Sequence, residues 1–285
     1  MAGKFARSWA LMKASAGVLR ADKSLLVFPL LAGACSMVVA ASFLVPVVLA
    51  MIGHHADVDV GERRFPPLYY AVLFAFYLVQ YFVIVFFNTA LVGVALARLR
   101  GEPAGLAEGF ALARSRLGSI FGYALIAATV GLLLRMLQER LGLIGRFVVG
   151  LLGLAWTVAT FLVVPVLASE GIGPMDAVKR SVELLKRTWG ENLIGNAGLG
   201  VVSGLVMLLV VLLAGVLMVG AAATQSVVAM VLVGVLAVLA FILLGLVQST
   251  LQGIYSAALY RYAEAGEVSG GFDQALLESA FRTKR

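Results

Sequence analysis

Histidines, cysteines and clustered carboxylates are the first places to look for chemistry, and this chain has few of them. His54 and His55 are the only histidines, and they are adjacent. One helix face cannot present both at the i,i+4 spacing that zinc sites use. Asp57, Asp59 and Glu62 follow them, which allows a weak exposed divalent site, but a solvated polar hairpin explains the same residues. No Gly-x-Ser-x-Gly nucleophile elbow and no Gly-x-x-x-x-Gly-Lys phosphate loop occurs. Gly198-x-Gly200-x-x-Ser203 lies inside an apolar run with no strand before it, so it is no dinucleotide fingerprint. Cys35 is the single cysteine, which excludes an intrachain disulfide. The expectation is a protein that is not an enzyme, with no catalytic residue, metal or cofactor.

Neutral polar residues inside apolar runs are the remaining candidates. Gln80, Asn88, Thr89, Thr157, Thr160, Asn192, Asn196, Gln248 and Gln252 are of this kind. Asn88, Thr89, Asn196, Gln248 and Gln252 are the candidate polar path. Gln248, Gln252 and Tyr255 form an i, i+4, i+7 stripe. The plainer alternative is interhelical hydrogen bonding. No Asp, Glu, Lys or Arg lies clearly inside an apolar run, which argues against an ion-coupled pump.

The elements that must position these groups follow from composition. The chain has 285 residues, 62% of them hydrophobic and only 13% charged. A soluble domain carries about 25% charged residues. The composition excludes a soluble enzyme, a disordered chain and a disulfide-stapled secreted module, and it predicts an all-α membrane protein. A bilayer core needs about 20 apolar residues as helix. Six segments qualify, near 25–52, 68–96, 117–134, 147–168, 193–223 and 227–260. The third is barely long enough and the last two are longer than needed. Pro29, Pro46 and Pro165 are candidate kinks. The expected organisation is a cytoplasmic amphipathic helix over 1–24, a six-span membrane domain over 25–260, and a tail over 261–285 with its own amphipathic helix.

Orientation comes from Lys and Arg. The N-terminal segment, 98–116, 179–187 and the tail from Arg261 together hold seventeen of the 22 basic residues, and the alternate loops hold five. This predicts a multi-pass protein of the prokaryotic cytoplasmic (inner) membrane with both termini in the cytoplasm. The net charge of +7 is then explained by topology and anionic lipid of the cytoplasmic leaflet, with no nucleic acid partner.

The basic segments have helical periodicity. Phe5, Trp9, Met12, Ala16 and Leu19 form one apolar stripe. Pro103 is expected to start an interfacial helix over about 103–117, with Leu106, Phe110, Ala113 and Leu117 as its stripe. Pro174 is expected to start another over about 174–190, with Met175, Val178, Val182, Leu185 and Trp189. In it Asp176–Arg180 and Glu183–Arg187 are i,i+4 pairs. Phe272, Leu276 and Ala280 share a face in the tail. Lys13, Arg20, Lys179, Arg180, Lys186 and Arg187 are the expected contacts to anionic lipid.

Two further features bear on packing. Gly118-x-x-x-Gly122 and Gly200-x-x-x-Gly204 allow close helix approach, either within the bundle or between subunits. Arg135, Glu139, Arg140 and Arg146 cluster at one end of the third and fourth spans, with Arg135 and Glu139 as i,i+4 partners. A structural ion pair is the default there, and a gate or anion site is the sharper alternative. The order amphipathic helix, span, span occurs three times. Ala95–Phe110 parallels Ala258–Phe272 with matched residues 162 to 165 positions apart, as a repeat would produce.

Ala32-Gly33-Ala34-Cys35 faintly resembles a lipoprotein cleavage site, but more apolar span follows it. Pro174-x-Asp176-x-x-Lys179 matches the core motif of mitochondrial carriers once, where that family needs it three times, so the carrier reading is rejected. The chain resembles a family of uncharacterised prokaryotic six-span membrane proteins. Phe87-Asn88-Thr89-Ala90-Leu91, Val164-Pro165-Val166-Leu167-Ala168-Ser169-Glu170, Lys179-Arg180-Ser181 and Thr188-Trp189-Gly190-Glu191 carry that resemblance. A looser likeness is to the membrane domain of membrane-anchored glycerophosphodiester phosphodiesterases. Their catalytic domain is not among these residues, so the likeness implies architecture and no activity.

The expected function is a passive channel or permease-like pore, as a homo-oligomer. The alternative is a structural or lipid-organising protein that binds anionic lipid or a cytoplasmic partner through its basic amphipathic helices.

Overall fold

The computed structural model describes residues 17, 19–20, 22–53, 67–187 and 192–265. Among them there is no strand. A short 3-10 turn, Lys23–Leu26, leads into α1 (Val27–Gly53). There follow α2 (Pro67–Leu99), α3 (Leu106–Ser115), α4 (Leu117–Arg140), α5 (Leu143–Ala159), α6 (Val163–Ser169), α7 (Pro174–Arg187), α8 (Asn192–Ala223) and α9 (Val227–Ala265). Six helical segments are long and apolar enough to cross a membrane, one of them made of α5 and α6 together. The chain is therefore an all-α, multi-pass membrane protein. The amphipathic stripes at Phe5–Leu19 and Phe272–Ala280, the His54–Glu62 hairpin, Lys13 and Trp189 fall outside the described residues, wholly or, for the first stripe, in large part.

The solvent these helices require is visible in their surfaces. Val216 and Val219 on α8 are 70% and 72% exposed, and Leu236 and Leu243 on α9 are 64% and 62% exposed. Such a surface is stable only against hydrocarbon. The two helices have 32 and 39 residues, or roughly 48 and 58 Å at 1.5 Å per residue, well beyond a 30 Å core.

The chain divides into two compact units. One holds the described parts of Met1–Leu26, Ala95–Pro103 and Leu185–Arg285. In it α8 and α9 pack side by side across a turn at Thr224–Ser226, and α9 also meets the Lys23–Leu26 turn. Ile254 through Tyr260 of α9 are all buried. Asp22 accepts from the backbone N–H of Ser24 at 3.0 Å and from its hydroxyl at 2.5 Å, and lies 3.0 Å from Arg98. Arg261 donates to the carbonyl of Leu99. Arg98 and Arg261 thus both tie down this unit. The Ser24 hydrogen bonds first, and Arg98 after them, hold the Asp22 carboxyl below its ordinary value.

The other unit holds Val27–Val94 and Ala104–Leu184. Here α4 and α5 form a hairpin, and α3 lies on the end of α2. Phe110 of α3 meets Phe28, Phe86 and Phe87 at ring separations of 5.2, 6.3 and 6.0 Å. Phe110 and Ala113 of the expected stripe are therefore covered by protein, whereas Leu117 begins α4 and is 41% exposed. The helix starts at Leu106 rather than Pro103, because Glu108 reaches back to accept from the Gly105 N–H at 2.9 Å. In α7 the buried stripe is Ala177, Ser181, Leu184 and Leu185, whereas Met175 is 53% exposed. The buried face is turned from the expected one because Ser181 faces the preceding span.

The fourth span is broken. Residues 160–162 form a turn between α5 and α6. The break lies upstream of Pro165, because proline lacks the N–H that would bond the Phe161 carbonyl and its ring crowds that carbonyl. Phe161 and Val163 bond back by the shorter i−3 step, to Val158 and Thr160. Pro46, by contrast, is carried inside an unbroken α1. The third span is longer than expected, 24 residues to Arg140, because Arg135 and Glu139 pair at 3.0 Å and keep their turn helical.

Candidate functional site

Several polar groups of the second unit follow one another along α2 and α4 towards the break. They start at the end of α4, where Arg135 pairs with Glu139 and Tyr70 donates to the other Glu139 oxygen at 3.2 Å. Tyr70, Tyr77 and Tyr81 sit at i, i+7 and i+11, on one face of α2. Tyr77 and Tyr81 have ring centroids 6.4 Å apart. The Tyr81 hydroxyl lies over Gly131 of α4, 3.6 Å from where a Cβ would be. Tyr123, two turns before Gly131 on α4, is buried, with Tyr81 and Thr160 near it. Thr160 donates to the Trp156 carbonyl at 2.8 Å.

Thr160 is the first residue of the break, and the next polar group is on α7. Ser181 is fully buried. Its hydroxyl donates to the Ala159 carbonyl at 2.7 Å and accepts from the Leu162 N–H at 3.2 Å. One side chain thus satisfies two backbone groups beside the interruption, which non-helical backbone at membrane depth requires. Beyond it Arg180 pairs with Glu170 at 3.0 Å and with Glu183 at 3.6 Å. Ser119 donates to the Ile172 carbonyl at 2.9 Å, and the Arg116 guanidinium lies on Gly171, whose φ is +66°. A side chain at Gly171 would both collide with Arg116 and strain the backbone.

The series is thus a seam of neutral hydroxyls with an ion pair at each end. Two polar atoms on α2 are buried with no partner, Gln80 Oε1 and Thr89 Oγ1. A buried group left unpaired costs about 1–3 kcal/mol. Among the described residues no three His, Cys, Asp or Glu side chains gather as a metal site.

The expected residues fare unevenly. Thr89 is fully buried and Asn88 half-buried, both on α2. Gln248 and Gln252 are exposed on α9, while Tyr255, next on their stripe, is buried. Asn88 and Thr89 belong to the second unit and the two glutamines to the first. Asn196 and Gly200 are helical, in a stretch whose side chains fall outside the described set. A Cβ on Gly118 or Gly204 would meet nothing within 4 Å, but one on Gly122 would come to 2.7 Å from Pro174. Gly122 therefore seats the start of α7. Arg180 pairs with Glu170 rather than Asp176, because Glu170 ends the neighbouring helix and faces it. Asp176 instead meets Lys179 at 3.4 Å. Arg20 and Lys186 are exposed, and the Arg187 side chain is outside the described set. The ladder of Tyr70, Tyr77, Tyr81 and Tyr123 went unread in the sequence. Its signal is the 7 and 4 spacing of tyrosines within an apolar helix.

A family model described as a family of unknown function (DUF6159) matches residues 67–271. The match covers most of the chain and takes in α2 through α9, hence the whole seam. No curated protein matches the chain, and no solved structure does.

Proposed function

The chain belongs to DUF6159, a family of unknown function, and on that premise we propose that it is a non-enzymatic, passive, permease-like path for a small neutral polar solute. One observation carries this reading: the hydroxyl seam from Tyr70 through Tyr81, Tyr123 and Thr160 to Ser181, passing a broken span. Broken helices at membrane depth are where transporters place polar sites. The seam has donors and acceptors but no charge between its ends, which suits an uncharged guest and not a coupled ion. The excess of basic residues in alternate segments supports the prokaryotic cytoplasmic membrane with both termini inside. A homo-oligomer would cover Gln248 and Gln252, whose amides stand on an apolar face and can pair with their own kind. The likeness to the membrane domain of glycerophosphodiester phosphodiesterases adds architecture to this proposal and no activity.

The second reading, a lipid-organising protein, is favoured by exposed Arg20, Lys179 and Lys186 beside spans that end in basic segments. Flux separates the two. Purified protein in liposomes should pass glycerol or urea, and Tyr123→Phe with Thr160→Val should cut that flux about tenfold or more, an amount equal to about 1.4 kcal/mol. Asn88→Leu with Gln248→Leu tests the residues expected from sequence in the same assay. No flux from folded wild-type protein would sink the permease reading and leave lipid binding as the question.

A further inference from the structure

An open apolar cleft of about 430 Å³ runs between α4 and α5, lined by Leu133, Leu134, Leu152, Ala155, Trp156 and Ala159 among others. Its walls are two membrane-crossing helices, so hydrocarbon is the medium it opens to. Its volume is on the scale of a single acyl chain. What distinguishes it from any gap between spans is its mouth. Arg140 lies two turns beyond Leu133 on the same face of α4, and Arg146 lies two turns before Gly153 on the face of α5 that meets Leu134. Both arginines are exposed and have no ion-pair partner among the described residues. The nearby carboxylate, Glu139, is already taken by Arg135 and Tyr70.

The spacing fits a lipid. Leu133 lies about 10 Å along the helix from Arg140, and Leu152 about 9 Å from Arg146, at 1.5 Å per residue. The headgroup layer on each side of a bilayer is roughly 5–8 Å deep. Arginines at phosphate level therefore put these leucines just inside the hydrocarbon. We infer that the α4–α5 cleft is a binding site for one anionic glycerophospholipid. Its phosphate is held by Arg140 and Arg146, and one acyl chain lies along the cleft down to Trp156 and Ala159. Guanidinium pairs suit phosphate because their N–H groups present a planar fork. The chain's far end reaches the residues that open the break in the fourth span. The proposal is distinct from the contacts expected of Lys13, Arg20, Lys179, Arg180, Lys186 and Arg187.

Trp156 reports on its own occupant. In full-length protein with Trp9→Phe and Trp189→Phe, Trp156 is the single tryptophan. The protein is placed in phosphatidylcholine nanodiscs with a few per cent of acyl-brominated phosphatidylglycerol or, separately, acyl-brominated phosphatidylcholine. The expected result is saturable quenching by the phosphatidylglycerol at several-fold lower mole fraction than by the phosphatidylcholine. Arg140→Gln with Arg146→Gln should merge the two curves, and Arg140→Lys with Arg146→Lys should keep much of the preference. Ala155→Phe, which fills the cleft, should remove the saturable component. Superimposed curves that follow mole fraction would mean ordinary boundary lipid and overturn the proposal. Quenching by neither lipid would mean that a second copy of the chain covers Trp156, and would overturn it equally. Neither outcome touches the flux assay.

Discussion

Two junctions, one ahead of α3 and one ahead of α7, solve one problem in opposite ways. In each, a glycine in the left-handed conformation closes a span, Gly101 at φ +80° and Gly171 at φ +66°. A short amphipathic helix then folds back on that span. Gly105 and Gly173 precede the short helices, Glu108 and Asp176 are the acids of their first turns, and Gly109 with Ala113 and Ala177 with Ser181 are the buried positions. Each pair is 68 residues apart. The first junction achieves closeness by deletion. A Cβ on Gly109 would come to 2.7 Å from Phe28 and Val94 and 3.0 Å from the Ala90 carbonyl. The second achieves it by substitution of hydrogen bonds. Pro165 opens the span, and Ser181 fills the place of lost ladder bonds. The dry junction is closed by packing, and the polar one by hydrogen bonds from a side chain.

The largest effect should come from the dry side. Gly109→Leu puts a side chain where Phe28, Val94 and the α2 backbone already stand. Overpacking costs typically 1–3 kcal/mol and more where backbone cannot yield. Here the loss should exceed about 3 kcal/mol, with folded yield in detergent collapsing. Gly118→Leu, whose Cβ meets nothing, should leave thermal unfolding unchanged. Equal behaviour of the two variants would refute the claim that the first junction is set by close packing.

The polar junction should respond less, and in a coupled way. Ser181→Ala leaves the Ala159 carbonyl and the Leu162 N–H without the hydroxyl, at about 1–3 kcal/mol. Pro165→Ala lets the span close its own ladder, so the hydroxyl loses its task. The double variant should therefore fall short of the summed single effects by about 1 kcal/mol, measured as a double-mutant cycle on unfolding in detergent. Strict additivity would mean that Ser181 does not serve the break.

How far this contrast could be read from sequence differs by level. The spans, the short helices and the pairing of Arg135 with Glu139 are legible, because each rests on local periodicity or i,i+4 spacing. Pro165 was legible as a kink but not as a break three to five residues upstream, since that depends on which carbonyl it strips. The seam was not legible. Asn88, Gln248 and Gln252 draw the eye as amides in apolar helices, whereas Tyr77, Tyr81 and Tyr123 look like ordinary membrane aromatics. Ser181 looks like one polar residue on a polar helix. Only the fold brings Tyr123 to Thr160 and Ser181 to Ala159, through contacts that no spacing in one segment encodes.

The smallest effect concerns what holds each span end beyond its glycine. At the fourth span the carboxylate is on the span itself, Glu170, and the cation comes from the short helix, Arg180. At the second span the cation is on the span, Arg98, and the carboxylate is Asp22, ahead of the first span. Asp22 is the more testable, because the Ser24 hydrogen bonds and Arg98 lower its pKa below the ordinary 3.8. A carboxyl whose folded value is depressed stabilises fully above its ordinary value and loses that contribution as pH falls through the folded one. Asp22→Asn should therefore lower the unfolding midpoint modestly at pH 7, and the gap to wild type should shrink once pH drops below 3.8. The Ser24 hydroxyl bond is the largest cause, so Ser24→Ala, which keeps the backbone N–H bond, should narrow that pH dependence more than Arg98→Gln does. The reverse order would make the ion pair, and not the local cap, the fastening of that span end.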